Sequence, residues 1–200
     1  MVISAQTPVR KPRADAERNR LKLLATAKSV FASKGMDVGL EEIARAAGVG
    51  IGTLYRHFPT REALTEQVYR NEANQLAAAA ETLAAEQPPV EALRAWMLLF
   101  IDYFATKQII AGALATMVTN SAEIYAASGA QMNEAMTLLT DRAIASGEIR
   151  LTVEPLDLLR AVAGVANVGA GPGWEAQARA MVDILIAGLR ASAGDAPSSG

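Results

Sequence analysis

The sequence predicts an all-α protein of about nine helices, and three observations lead to this prediction. Alanine and leucine dominate the 200-residue chain, runs of β-branched residues are rare, and apolar residues recur at helical spacing. A chain of this length buries roughly 70% of the surface that its unfolded form exposes, so it needs no covalent or metal staples.

The first third of the chain is predicted to contain three helices, over residues 15–34, 40–47 and 51–58. Leucine, alanine and phenylalanine recur along one face of the first of these. Gly48 ends the second helix. Pro59 ends the third, because the residue before a proline is pushed out of the α region.

A long fourth helix is predicted over residues 61–86. Thr60 can cap it through a side-chain oxygen, and two prolines follow its end. The alanine run at residues 77–80 is interpreted as part of this helix and not as a linker, since charged residues flank it. Five further helices are predicted, over residues 90–107, 109–118, 129–146, 155–168 and 174–193.

Composition excludes several kinds of site. The chain has no cysteine, which excludes disulfides, thiolate metal sites and cysteine nucleophiles, and His57 is its only histidine. We therefore expect no metal and no other cofactor. The N-terminus shows no secretory pattern, and the predicted apolar stretches of about 8–11 residues fall short of the ~20 that cross a bilayer. These features predict a cytoplasmic protein that does not enter a membrane.

Charge is distributed unevenly along the chain. Residues 1–61 contain 11 basic and five acidic residues, a net charge of +6, whereas residues 62–200 contain eight basic and 16 acidic residues, a net charge of −8. This asymmetry indicates a polyanionic partner at the N-terminal end, the alternative being a chance excess of solvated charge.

Residues 39–61, GLEEIARAAGVGIGTLYRHFPTR, contain the pattern that indicates a function. Short helical pieces joined by glycine-containing turns are typical of a helix-turn-helix and its support. If the apolar residues of this segment face the first helix, the third helix presents a polar, aromatic and cationic surface to a DNA major groove. That surface consists of Gly50, Ile51, Thr53, Tyr55, Arg56 and His57. A catalytic His57 is disfavoured, because it would need a cleft.

The run from Leu23 to Leu64 resembles the DNA-binding domain of TetR-family regulators. The matching residues are Leu24, Ala27, Phe31, Gly35, Ile43, Ala44, Ala47, Gly48, Val49, Gly52, Thr53, Leu54, Tyr55, His57, Phe58, Arg61, Glu62, Ala63 and Leu64. The resemblance implies a helix-turn-helix domain (14–61) and a helical effector-binding and dimerisation domain (62–193). The polar composition of residues 1–13, with Pro8 and Pro12, predicts a flexible basic arm, and the small, polar residues 194–200 predict a disordered tail.

The same resemblance implies roles for individual residues. Tyr55, His57 and Arg61 are expected to contact phosphates, and Thr53 and Arg56 are expected to contact bases. Thr60 is placed on the same DNA-binding surface. Gly50 departs from the usual serine or threonine cap, and Ile51 is apolar where many members are polar, so it packs on a thymine methyl or has no role. Arg10, Lys11 and Arg13 either enter the minor groove or form a solvated arm.

In the C-terminal two-thirds the resemblance implies an effector cavity and a dimer interface. Ordinary core packing and a monomer that buries its last helices are the alternatives. The expected cavity wall is Trp96, Phe100, Tyr103, Met117, Tyr125, Met132 and Met136, with Asp102, Asn120 and Gln131 as polar contacts. The expected interface, on the last two helices, is Leu158, Leu159, Val162, Val165, Met181, Leu185 and Leu189.

The sequence therefore predicts a ligand-responsive transcriptional regulator and not an enzyme. Its predicted partners are a palindromic double-stranded DNA operator, a second copy of the chain, and a small apolar or aromatic effector that releases a repressor from DNA. An all-helical enzyme and a nonspecific DNA-binding module are the alternatives.

Overall fold

The computed structural model describes residues 12–117, 121–168 and 173–194, and within these ranges all regular structure is α-helical. This confirms the predicted all-α class. The helices are α1 (Pro12–Lys34), α2 (Leu40–Ala46), α3 (Ile51–His57), α4 (Arg61–Glu86), α5 (Pro89–Met117), α6 (Ser121–Ala145), α7 (Pro155–Val168) and α8 (Trp174–Gly194).

The described residues form eight helices instead of about nine, and the differences lie in the C-terminal part. Two helices were predicted on either side of Gln108, but α5 runs through this residue. No glycine or proline lies there to stop it. The helix α6 starts at Ser121, well before the predicted start at Gly129, because a glycine inside a helix costs only about 1 kcal/mol.

The chain ends also differ in detail from the expectation. The helix α1 begins at Pro12, so it overlaps the end of the expected arm; proline is favoured at the first position of a helix. Arg10 and Lys11 lie outside the described residues, as does the side chain of Arg13. Of the expected tail, Gly194 ends α8, and residues 195–200 lie outside the described part.

The chain divides into two compact units, one within residues 1–68 and one within residues 69–200. The predicted domain boundary was residue 61, and the division falls inside α4 at Val68. In the first unit α1, α2 and α3 pack against one another around fully buried side chains, which include Leu24, Phe31, Ile43, Leu54 and Phe58.

The turn between α2 and α3 depends on Gly48. This residue has φ +64°, in the left-handed region, and its N–H donates to the Arg45 carbonyl at 3.0 Å. The next N–H, of Val49, donates to the Ala44 carbonyl at 3.0 Å. Glycine takes this conformation without steric cost, so the two short helices can meet at a sharp turn.

In the second unit α5 packs against α6, α7 and α8. Three ion pairs join α5 to α8: Arg94–Asp183 at 2.7 Å, Asp102–Arg179 at 2.5 Å and Glu91–Arg190 at 2.7 Å. Exposed pairs of this kind contribute little stability each, but together they link the two helices at three points along their length.

Residues 89–116 of α5 are long and apolar enough to cross a membrane by length and composition, with a mean hydropathy of 1.4 in the best window. This apolar segment is longer than the stretches counted in the sequence. Because α5 buries Trp96, Ile101 and Leu114 against its neighbours, we interpret it as the core helix of the second unit.

We predict that Gly48→Ala lowers the free energy of unfolding by about 1–2 kcal/mol, since an L-residue is strained at positive φ. A Cβ there would lie 3.5 Å from Lys22 Nζ, an ordinary contact, so backbone strain and not a clash is the cause. Gly52→Ala, in the helical part of the same motif, is the control and should stabilise by about 0.5–1 kcal/mol. Urea unfolding that ranks the two variants in the opposite order would contradict this account.

Candidate functional sites

The helix α3 has one buried side and one open side. Leu54 and Phe58 are almost completely buried. Ile51, Gly52, Tyr55 and Arg56 are exposed, and their spacing places them together on one face of the helix. Thr53 and His57 flank this face and are half-buried. The structure thus brings the predicted recognition residues to one surface, which we call the α3 face.

The start of α3 has no side-chain cap. Gly50 occupies the N-cap position with φ −69° and ψ 146°, and its carbonyl accepts hydrogen bonds from the N–H groups of Thr53 at 2.8 Å and Leu54 at 3.3 Å. The first backbone N–H groups of the helix therefore have no side-chain acceptor at this cap. These groups are available to an external acceptor.

His57 lies at the edge of the α3 face, near α1. Its ring centroid is 6.1 Å from that of Phe58. The pKa of the Glu17 carboxyl is lowered, mainly by its hydrogen bonds with the Arg20 guanidinium and to a smaller extent by the charge of His57.

Thr60 and Arg61 make contacts within the protein at the start of α4. The Thr60 hydroxyl accepts a hydrogen bond from the Ala63 N–H at 3.1 Å, as an N-cap does. Arg61 Nη1 donates to the Met36 carbonyl at 2.7 Å, and Nη2 donates to the Val38 carbonyl. The Arg61 guanidinium therefore ties the connection between α1 and α2 to the first residue of α4.

A chain of buried hydroxyl groups joins α4, α5 and α6 in the second unit. The Tyr69 hydroxyl lies 2.9 Å from that of Tyr103 and 2.6 Å from the Ser128 hydroxyl, which donates to the Tyr125 carbonyl at 3.0 Å. Each hydroxyl has one proton, so Tyr69 donates to Ser128 and Tyr103 donates to Tyr69. Burial, with the hydrogen bond to Tyr69, raises the pKa of Tyr103.

A cavity of about 190 Å³ opens between α5, α6 and α7. Its lining is apolar apart from one arginine and consists of Phe100, Gly129, Met132, Leu156, Leu159, Arg160 and Ala163. Because Gly129 has no side chain and Ala163 has only a methyl group, space remains between the larger lining side chains. A lining of this composition suits an apolar ligand with few polar groups.

Residues 23–68 match the bacterial regulatory proteins of the tetR family, and residues 88–191, more than half of the chain, match the C-terminal domain of SbtR-like transcriptional regulators. The chain belongs to the TetR family of transcriptional regulators. The matched families and structures are regulators and not enzymes, which confirms that part of the prediction.

Solved structures of TetR-family regulators resemble this chain over most of its length. The TetR transcriptional regulator SCO0520 from Streptomyces coelicolor is 45% identical, covers 86% of this chain and 98% of its own, and has a TM-score of 0.77. The TetR regulator from Mycobacterium vanbaalenii is 30% identical, with 89% and 98% covered and a TM-score of 0.72.

One curated relative matches over a shorter region. The HTH-type transcriptional regulator SAR0097 from Staphylococcus aureus (strain MRSA252) is 35% identical over 80 residues. The match spans 38% of this chain and 41% of that protein, so it covers less than half of either.

In this TetR-family chain the residues expected to form the effector site are divided between a cavity and the core. Phe100 and Met132 line the apolar cavity. Trp96 and Met136 are fully buried, and the Trp96 indole N–H donates to the Leu76 carbonyl at 2.7 Å. Neither residue lines the apolar cavity between α5, α6 and α7, and their role as effector contacts stays a prediction.

Most of the remaining residues expected at the effector site make contacts within the protein. Tyr103 belongs to the hydroxyl chain, and half-buried Tyr125 lies under the Lys107 ammonium, 5.3 Å from the ring centroid. Two of the expected polar groups already have protein partners, Arg179 for Asp102 and Asn74 for Gln131. The side chain of Met117 and all of Asn120 lie outside the described part of the chain.

Three residues expected at the dimer interface face the interior of the subunit. Leu158, Leu159 and Val162 are almost completely buried, because this side of α7 packs on α5, α6 and α8. Leu159 also lines the apolar cavity, and the role of these three residues at an interface stays a prediction. Val165, Met181, Leu185 and Leu189 are half-buried, whereas Val168 (91% exposed) and Ile184 (63% exposed) are exposed large apolar residues of α7 and α8.

Two cations near the helix-turn-helix were missed from the sequence. The position of Lys22 Nζ, close to Gly48, places the ammonium beside the turn between α2 and α3. Arg45 is exposed in the last turn of α2. Both residues lie in helices next to this turn, α1 and α2, and this position in the sequence could have identified them. Among the described residues no group of three or more His, Cys, Asp or Glu side chains could hold a metal ion.

We predict that Arg61→Lys destabilises the DNA-free protein by about 1–2 kcal/mol, because a lysine ammonium does not reproduce the guanidinium fork to both carbonyls. Arg56→Lys, on the exposed α3 face, is the control and should leave the urea midpoint unchanged. If Arg61 serves only to bind phosphate, Arg61→Lys will unfold at the wild-type midpoint.

Proposed function

We propose that this regulator binds a palindromic operator as a homodimer and represses transcription in the cytoplasm until a small apolar or aromatic effector releases it. Residues 14–61 bind DNA, and residues 62–193 bind effector and form the dimer. The observation that supports this proposal best is the α3 face, which presents aromatic, polar and cationic side chains while the opposite side of the helix is buried.

Within a major groove, we assign some residues of the α3 face to base contacts and others to phosphate contacts. Arg56 is exposed in the last turn and offers a guanidinium to a guanine edge, and Thr53 lies beside it for a second base. Tyr55 and His57 are placed for phosphates. The uncapped N–H groups after Gly50 suit a phosphate oxygen, and Ile51, 36% exposed, suits a thymine methyl.

The residues before and after the α3 face add positive charge. Residues 1–61 have a net charge of +6, and Arg10, Lys11 and Arg13 precede the body of the domain. We assign this arm to the minor groove. Thr60 and Arg61 act chiefly by fixing the start of α4, since each already has a protein partner.

The dimer interface is assigned to the outward faces of α7 and α8. Besides Val168 and Ile184, these faces carry Val165, Met181, Leu185 and Leu189, which remain partly accessible. Ala161, Gly164 and Gly188 lie between them, and small residues allow helices of two subunits to approach closely. A two-fold axis there requires half-sites of the operator to repeat as a palindrome.

The effector is assigned to the cavity that Phe100 and Met132 line. An apolar or aromatic molecule buries apolar surface there. Release from DNA requires that the effector bind the DNA-competent and DNA-incompetent states unequally, because a ligand with equal affinity for both shifts nothing.

Selection of bound sequences from a random DNA pool tests the DNA-binding proposal. We expect a palindrome that is preferred over random DNA by roughly 10³-fold or more. Arg56→Ala should weaken binding to that palindrome by about tenfold, because a bidentate base contact contributes 1–3 kcal/mol. Arg150→Ala, which removes the same charge from an exposed position in the second unit, should have no effect. A pool that shows no enriched sequence would support the nonspecific module instead.

Sedimentation at micromolar concentration tests the interface. The wild type should sediment as a dimer, and Ile184→Glu should sediment as a folded monomer, since a carboxylate would be buried without a partner. Ile144→Glu makes the same change at an exposed apolar residue of α6, where 43% of the side chain is accessible, and should remain dimeric. A monomeric wild type, or a dimeric Ile184→Glu, would refute this assignment.

A further inference from the structure

The cavity between α5, α6 and α7 is bordered by an aromatic ring that other aromatic rings hold in place. Phe100 is only 6% exposed, and its ring centroid lies 6.4 Å from that of Trp96 at an interplanar angle of 22°, a stacked arrangement. The rings of Tyr103 and Phe104 lie 6.0 Å and 5.8 Å from Phe100 in tilted arrangements. Because these neighbours fix the Phe100 ring, it needs no reordering when a ligand contacts it from the cavity.

Two further lining side chains interact more favourably with an aromatic ring than with a saturated one. Met132 contributes a thioether, whose polarizable sulfur makes favourable contacts with aromatic rings. Arg160 contributes a planar guanidinium, which stacks on aromatic faces and is attracted by their π electrons. Phe100 itself favours contacts between rings, so three of the lining residues favour an aromatic ligand.

The guanidinium of Arg160 is held at the rim of the cavity by a residue of its own helix. Arg160 Nη1 donates to Asp157 Oδ1 at 2.6 Å, and 70% of the Arg160 side chain is exposed. Hydrogen bonds to a guanidinium lie close to its plane, so this contact leaves its two faces uncovered. The ion pair also balances the only charge among the described lining residues. The cavity therefore suits a neutral ligand better than a carboxylate or an ammonium.

The cavity has room for one six-membered ring. Its volume is about 190 Å³, and an apolar protein cavity of roughly 150 Å³ binds benzene. Gly129 keeps part of this space open, because a Cβ added there would meet no other atom within 4 Å. Its φ is not positive, so neither backbone conformation nor close packing requires a glycine at this position in α6. A larger side chain at residue 129 would therefore extend into space that is now empty.

We propose that this cavity selects one neutral aromatic ring over a saturated ring of the same size. The ring lies on Phe100, with Met132 beside it and the guanidinium of Arg160 over it at the rim. This inference rests on the proposed effector role of the cavity, and it narrows the effector from apolar or aromatic compounds to neutral monocyclic aromatic ones.

Calorimetric titration of the full chain without DNA tests this selectivity. The probes are benzyl alcohol and cyclohexylmethanol, which carry the same substituent on rings of similar size. The saturated ring is the more hydrophobic of the two, so transfer from water alone favours cyclohexylmethanol. We expect benzyl alcohol to bind about fivefold more tightly, because the three contacts with an aromatic ring outweigh that difference. Equal affinities, tighter binding of cyclohexylmethanol, or no binding of benzyl alcohol would overturn the proposal.

A variant of Arg160 tests the contact at the rim. Arg160→Leu removes the guanidinium and should reduce the preference for benzyl alcohol to about twofold. Arg18→Leu is the matched control, since Arg18 is also paired with an aspartate three residues earlier on its own helix, but lies on α1 in the first unit. It should retain the wild-type preference. An unchanged preference in Arg160→Leu, or the same reduction in Arg18→Leu, would contradict the assigned position of the ring.

A variant of Gly129 tests the space that the ring occupies. Gly129→Leu fills the cavity and should abolish binding of both probes. Gly112→Leu makes the same change in α5, at a glycine that also has no atom within 4 Å of an added Cβ but does not line the cavity, and it should retain wild-type affinity. Both variants should keep the wild-type helical circular dichroism, because leucine is a better helix former than glycine. Wild-type affinity in a folded Gly129→Leu protein would refute the proposal.

A separate measurement distinguishes this inference from the proposed effector role. Each probe is added to the complex of the protein with the palindrome selected from random DNA. If benzyl alcohol binds the protein without releasing the palindrome, the effector role fails and the selectivity of the cavity stands. If both probes bind equally well and both release the palindrome, the selectivity fails and the effector role stands.

Discussion

The burial of Leu54 and Phe58 is the constraint on which the α3 face depends. A helix of seven residues is too short to persist in water by itself, and α3 also contains Gly52 and lacks a side-chain cap. Its stability must therefore come from packing. Because Leu54 and Phe58, the residue that directly follows α3, are fixed inside the first unit, the residues on the opposite side of the helix face outward.

The contacts around α3 determine its position as well as its stability. Gly48 sets the turn that leads into it, Thr60 caps the helix that follows, and Arg61 holds the connection between α1 and α2. These three contacts all use backbone groups. Backbone contacts of this kind position α3 without using the side chains of the α3 face.

The sequence was a good guide wherever a single residue determined the local structure. Gly48 and Pro59 located the ends of α2 and α3 to within a residue, because positive φ and the proline ring leave few alternatives. The sequence wrongly predicted a break between two helices at Gln108 and the start of a helix at Gly129. Both residues lie inside long helices whose packing outweighs local preference. Periodicity also could not show which apolar stripe of α7 faces inward, since Leu158 and Val165 look alike in sequence and differ only in tertiary burial.

Aromatic and methionine residues raise the same problem for the effector site. Spacing alone cannot distinguish a cavity wall from a core, and the structure divides the candidates according to their polar atoms and neighbours. Trp96 satisfies its only donor on a backbone carbonyl, and Tyr103 uses its hydroxyl proton on Tyr69, so neither has a hydrogen-bond donor left to offer a ligand. Phe100 has no polar atom to satisfy and borders open space.

The hydroxyl chain of Tyr103, Tyr69 and Ser128 gives α4 a defined place in the second unit. All of its protons are used, so any movement of α4 relative to α5 and α6 breaks buried hydrogen bonds, which costs about 1–3 kcal/mol for each group left unsatisfied. That cost opposes displacement of α4 from this position. A ligand that binds beside α4 displaces it only if the ligand's affinity for the displaced position exceeds its affinity for this one by more than this cost.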